Sequence, residues 1–127
     1  MNLIKLLVVF SVTLLAACTT GQLSYVDAKG NQKLACEVEF VGLPSVDKYA
    51  VEYALSLCAK NIVKNGHSIS ETHLLEIDTS IPDPPCGEIW THAFAKQEYK
   101  KAALSKKQYG YLVAHIDLGL AVINQCR

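Results

Sequence analysis

Cysteine placement constrains this chain more than any other feature, because four of its five cysteines are spread over residues 36–126 of a 127-residue chain. Cys36, Cys58, Cys86 and Cys126 form an even set, and Cys18 is left over. In an exported domain an even set predicts two disulfides, and an odd thiol asks for a separate use. The wide spacings hold no Cys-x-x-Cys pair of the kind zinc sites use. Export is expected from residues 1–17, in which Lys5, an apolar run over residues 6–15 and the small Ala16-Ala17 supply the three parts of a signal peptide. That run is about ten residues long, half of the ~20 that a membrane-spanning helix requires.

The stretch Leu14-Leu15-Ala16-Ala17-Cys18 resembles the lipobox of bacterial lipoproteins, a resemblance confined to residues 1–18. It implies cleavage before Cys18, which then carries a thioether-linked diacylglycerol and an N-acyl chain such as palmitate. Each buried methylene contributes about 0.8 kcal/mol, so more than one chain gives stable anchoring. Thr19 follows the cysteine. An Asp there marks inner-membrane retention in the enteric-type sorting rule, so Thr19 implies the outer membrane, with the domain in the periplasm or cell envelope. Lipidation would also account for the odd thiol.

Setting aside Lys5 leaves eleven basic side chains against twelve acidic ones. A mature chain so nearly neutral has none of the basic excess that a nucleic-acid partner calls for. Residues 18–24 read as the lipidated cysteine and a short tether, and residues 25–127 as a single globular envelope domain. Six extended tether residues reach at most ~20 Å, which would hold the domain close to the bilayer.

The predicted fold is α+β and mainly helical. An N-terminal β-hairpin packs on a central helix, a C-terminal αα-hairpin follows, and two disulfides staple the whole. Residues 23–26 and 33–41 flank the turn-forming Asp27-Ala28-Lys29-Gly30-Asn31, and Leu34, Cys36, Val38 and Phe40 alternate as the buried face of a strand. Ser45 is positioned to cap a helix over residues 46–65 ended by Gly66. Its two apolar stripes, one through Tyr49 and Tyr53 and one through Val51, Leu55, Cys58 and Ile62, predict cover on two sides. Residues 73–77 read as a short strand. A second helix is expected over residues 86–103, and a third from the Ser105/Gln108 capping box through Gln125. Gly119 is read as a site of close helix approach.

Rise per residue predicts which sulfurs pair. Cys86 lies about 26 Å from the turn of the helical hairpin and Cys126 about 30 Å, at 1.5 Å per residue, so both fall at its open end. Cys36 and Cys58 each lie about 20 Å from the turn at Gly42–Pro44, one along a strand and one along a helix. Cys36–Cys58 and Cys86–Cys126 are the expected disulfides.

Candidate chemistry is sparse. Glu88 and His92 are four apart on the expected second helix, His115 and Asp117 point to different sides of the third, and His67, Glu71 and His73 sit close in a loop. None forms a recognised catalytic or metal-binding motif, so no catalytic residue, metal or cofactor is assigned. Lys96, Lys100, Lys101, Lys106 and Lys107 cluster about the second interhelical turn. They could meet anionic headgroups or an acidic partner, or form an ordinary solvated corner. Tyr99 and Tyr111 are expected to be exposed and to belong to the same contact surface.

Three functions are compatible with this pattern. The leading one is a non-catalytic envelope lipoprotein, a binding or structural module tied to the membrane through its lipid and to an envelope protein partner. The second is an inhibitor, immunity or exclusion lipoprotein that blocks an incoming effector. The third is a metal-dependent hydrolase built on Glu88, His92 or the His67/His73 loop.

Overall fold

The computed structural model describes residues 18–126, so the expected signal peptide lies outside the described residues. Strand β1 (Cys18–Val26) pairs antiparallel with β2 (Gln32–Val41). Helix α1 (Pro44–Lys64), a 3-10 turn (Thr72–Glu76), α2 (His92–Lys100) and α3 (Lys106–Asp117) follow. This is the α+β arrangement that the periodicity predicts: the hairpin packs on α1, and α2 and α3 form an αα-hairpin. Both expected disulfides are present, Cys36–Cys58 with Cα atoms 6.7 Å apart and Cys86–Cys126 with Cα atoms 5.4 Å apart.

The hairpin turn is built by Asp27, whose carboxylate accepts the backbone N–H of Lys29 and of Asn31, each at 2.9 Å. Those bonds favour the charged form and hold the Asp27 carboxyl below its usual range. Residues 18–24, expected as a tether, are instead rungs of the ladder, with Cys18 opposite Val41. A bulge between Leu23 and Ser24 sets Ala35 as the extra residue on β2. The alternation flips there, so Leu34 turns outward while Cys36, Val38 and Phe40 stay inward. On β1, Gly21 lets the strand lie close on α1, since a Cβ there would stand 2.5 Å from Val51 Cγ1.

Helix α1 is the centre of the molecule, covered by the hairpin on one side and α3 on another. Phe40, Ala50, Tyr53, Tyr111 and Ala114 form the core between these three elements. Leu23, Ala59, Ile62 and Leu74 fill the other end, where Ser56 Oγ donates to the Leu74 carbonyl at 2.7 Å and fixes the 3-10 turn. Residues 72–76 therefore wind as a 3-10 turn rather than running as the short strand expected there. Trp90, Ala95, Leu104 and Leu112 seal α2 against α3. Close approach of α1 and α3 occurs at Gly110, where an added Cβ would stand 2.6 Å from the Val46 carbonyl oxygen.

Helices α1, α2 and α3 stop in the same way. The second residue past the C-cap donates back five positions and the first donates back three: His67 to Ile62 and Gly66 to Val63 in α1, Ala103 to Glu98 and Ala102 to Tyr99 in α2, Leu120 to His115 and Gly119 to Ile116 in α3. The motif needs a left-handed residue at its first extra position, and Gly66, Ala102 and Gly119 have φ of +89°, +60° and +73°. Gly119 is thus a stop signal, which cuts the third helix at Asp117 instead of Gln125. The second helix is also shorter than expected, because Gly87 at φ +77° and the turn around it precede Thr91, whose side chain caps α2. The first helix begins two residues early, with Pro44 in its first turn and no side-chain cap from Ser45. The Ser105/Gln108 capping box of α3 is present as predicted.

Candidate functional site

Cys18 is the one free cysteine among the described residues, and it is exposed. The neighbouring Glu39 carboxylate pushes the thiol's pKa up, the opposite of the shift that activates a nucleophilic cysteine. Opposite it stands Val41, 71% exposed, and two residues on is Leu43, 64% exposed. These apolar side chains lie at the same end of the hairpin as the cysteine. Among the described residues no helix is long and apolar enough to cross a membrane.

Beside Val41 opens a cleft of about 350 Å³ where the hairpin end, the start of α1, the start of α2 and the end of α3 meet. Its depth is made by the buried Phe40, Val46 and Asp47, its wall by Tyr109 and Val113, and its rim by the exposed Val41, Leu43, His92 and Asp117. Asp47 sits in the first turn of α1, where the helix dipole favours an acid. Its side chain is only 4% exposed, and Oδ2 has no hydrogen-bond partner. Burial and then the charge of Asp117 raise the pKa of the Asp47 carboxyl. Gly42 faces it: a Cβ on Gly42 would stand 3.1 Å and 3.2 Å from the two carboxylate oxygens.

His92 Nε2 donates to Asp117 Oδ1 at 2.7 Å, joining the first residue of α2 to the last of α3. Asp117 carries the disfavoured sign for the helix end it occupies, and the bond from His92 offsets that. The sequence reading sets His92 with Glu88 instead. Glu88 lies in the turn before α2, its carbonyl accepting from Asn124 N at 2.9 Å, so the shared helix face does not exist. Antiparallel α2 and α3 place the true partners together, by the same logic that joins Cys86 to Cys126.

Two other histidines, His115 and His67, are taken up locally, and His73 is exposed. His115 Nδ1 and the Tyr53 hydroxyl share a hydrogen bond at 2.9 Å, and burial lowers the His115 pKa. His67 packs on Tyr25 with ring centres 4.6 Å apart. Among the described residues no three His, Cys, Asp or Glu side chains come together as a metal-binding group. The five lysines, 96, 100, 101, 106 and 107, are all exposed around the α2–α3 turn. Lys101 pairs with Glu98 at 3.6 Å, and Lys107 Nζ stands 5.5 Å from the centre of the Tyr111 ring.

Tyr111 is no part of an exposed contact surface: it is 2% exposed, between α3 and α1. Gly110 brings α1 close enough to bury a second stripe of α3, and burial with nearby Glu52 pushes the Tyr111 hydroxyl up to about 12. Tyr99 is half-buried, stacked on Tyr109 with ring centres 4.7 Å apart.

Comparison with protein family models, with curated proteins and with solved structures found no match to this chain.

Proposed function

We propose that this protein is a lipid-anchored component of the bacterial envelope whose domain serves as a non-catalytic binding module at the membrane surface. The observation that carries the reading is the Leu14–Cys18 motif ending at a thiol left over when the other four cysteines pair. Paired sulfurs are at home in an oxidising compartment, as export requires. Exposed Val41 and Leu43 beside Cys18 add apolar contact at the end an acyl chain would hold to lipid. Thr19 in the sorting position favours the outer membrane. The binding role is supported by the cleft next to that end, where a buried carboxylate is left unpartnered.

Mass spectrometry of the protein extracted from the membrane fraction tests the anchor. A mature chain beginning at Cys18 with diacylglycerol and acyl mass is expected, and Cys18→Ser should accumulate as an unprocessed, unlipidated chain. A lipid-free mature chain, or one beginning elsewhere, contradicts the reading.

A further inference from the structure

We infer that the cleft beside the hairpin end binds a small organic cation, a primary alkylammonium whose charged head lies between Asp47 and Asp117 and whose hydrocarbon stem rests on Phe40, Val46 and Val113. The inference deepens the reading of the domain as a binding module and does not depend on acylation of Cys18.

A carboxylate oxygen shut away from water with no donor is costly, and folded proteins rarely tolerate one without a partner. Asp47 Oδ2 is in that condition, and Asp47 lines the cleft beside the apolar Phe40, Val46 and Val113. A second carboxylate, Asp117, is near enough to disfavour the charge on Asp47, and its one hydrogen bond to His92 leaves it further lone pairs. Asp47 and Asp117 line the same cleft, and a cation entering it would offset the charge that Asp117 imposes on Asp47. An ammonium supplies three N–H donors and a full charge, and its stem gains from the apolar walls.

Gly42 provides the room. Its φ is outside the left-handed region, so the backbone does not demand glycine there; the space before the Asp47 oxygens does. A cleft of about 350 Å³ is at the small end of ligand sites, which suits a compact amine. A divalent metal fits less well, because no third ligand joins the two carboxylates among the described residues.

The test is calorimetric titration of the full chain, purified in a non-ionic detergent and amine-free phosphate buffer, with n-butylammonium chloride and with neutral n-butanol. Saturable binding of the amine alone is expected. Asp47→Asn should weaken it about tenfold or more, the equivalent of losing about 1.4 kcal/mol. Gly42→Ala, which fills the space, should weaken it as well. Melting curves establish that the variants are folded, and the exposed Asp117→Asn, expected to weaken binding severalfold, serves should Asp47→Asn fail to fold. Equal binding of n-butanol, no saturable heat from the amine, or unchanged affinity in the folded carboxylate variants would overturn the inference. Intact mass on the same sample reports the state of Cys18, so failure of the anchor and failure of the cleft are read separately.

Discussion

Gly110 of α3 and Val46 of α1 are in such close contact that a single methyl group on the glycine would meet the valine carbonyl oxygen at 2.6 Å. Backbone cannot yield as a side-chain tip can. Gly110→Ala should therefore destabilise the protein by about 1–3 kcal/mol through overpacking, outweighing the ~1 kcal/mol that alanine gains in helix propensity. Gly21→Ala meets only side-chain atoms of Val51 and Leu55 and should cost less. Urea unfolding of both variants checks the order; a neutral Gly110→Ala would contradict the packing.

Ala102 carries the helix-ending conformation that Gly66 and Gly119 supply elsewhere, at φ +60°. Left-handed backbone costs a residue with a Cβ roughly 1 kcal/mol relative to glycine. Ala102→Gly should raise stability by about 0.5–1 kcal/mol, and the midpoint of denaturant unfolding should rise with an unchanged slope.

Asp47 has a raised pKa in the folded state, so its contribution to stability is present below its ordinary 3.8 and is lost as pH rises through the folded value. At neutral pH the unpartnered charge weighs against the fold. Asp47→Asn should melt higher than the parent at pH 7, and the gap should close on acidification below 3.8. A gap that persists in acid, or a lower melting temperature at pH 7, would count against the buried carboxylate.

His115 works in the opposite sense. Burial lowers its pKa from 6.5, so the unfolded chain binds the proton more readily and stability falls as pH drops through the folded value. His115→Gln should flatten the fall in melting temperature on going below pH 6.5, whatever it costs at pH 7 through the lost bond to Tyr53. Melting curves across that range, compared with the parent, decide it.

The two disulfides should differ in effect. Cys36–Cys58 ties the hairpin to α1 across the core, at a sequence separation of 22, and its removal as a double serine variant should cost ~3 kcal/mol in the chain-entropy view. Cys86–Cys126 holds residues 120–126, which are also secured by Asn124, whose side chain donates to Pro84 O and whose backbone exchanges bonds with Gly87 and Glu88. Its removal should free that segment to hydrogen exchange while the core remains protected.

Much of this architecture is legible from local pattern. Alternation marks β2 and the Ser105/Gln108 box marks the start of α3; rise per residue names the right sulfur pairs, although Cys86 and Cys126 lie outside α2 and α3, where a helical rise does not apply. The helix ends were not legible, because a glycine in an apolar pattern has two meanings. Gly119 ends α3 and Gly110 admits α1, and which is which depends on what stands opposite, a tertiary fact. Ile89, Leu120 and Ile123 keep helical spacing in segments that do not coil, and all three are partly exposed. The burial of Tyr111 is not legible for a related reason: α3 buries residues on more than one face, and only the packing of α1 at Gly110 shows it. The cleft was legible only in part. Asp47 could be read as a first-turn acid, but its nearness to Asp117 and His92 depends on four elements converging.

The pairing of Cys18 with Val41 makes the proposed point of lipid attachment the terminal rung of the sheet, with no slack between them. A load applied through an acyl chain would reach the ladder one rung at a time, beginning at Cys18, and would peel β1 from β2 like a zipper. Lifting the domain off the bilayer and unravelling its first strand would then be the same event. A few inserted flexible residues after Cys18 would serve as a leash and separate the two.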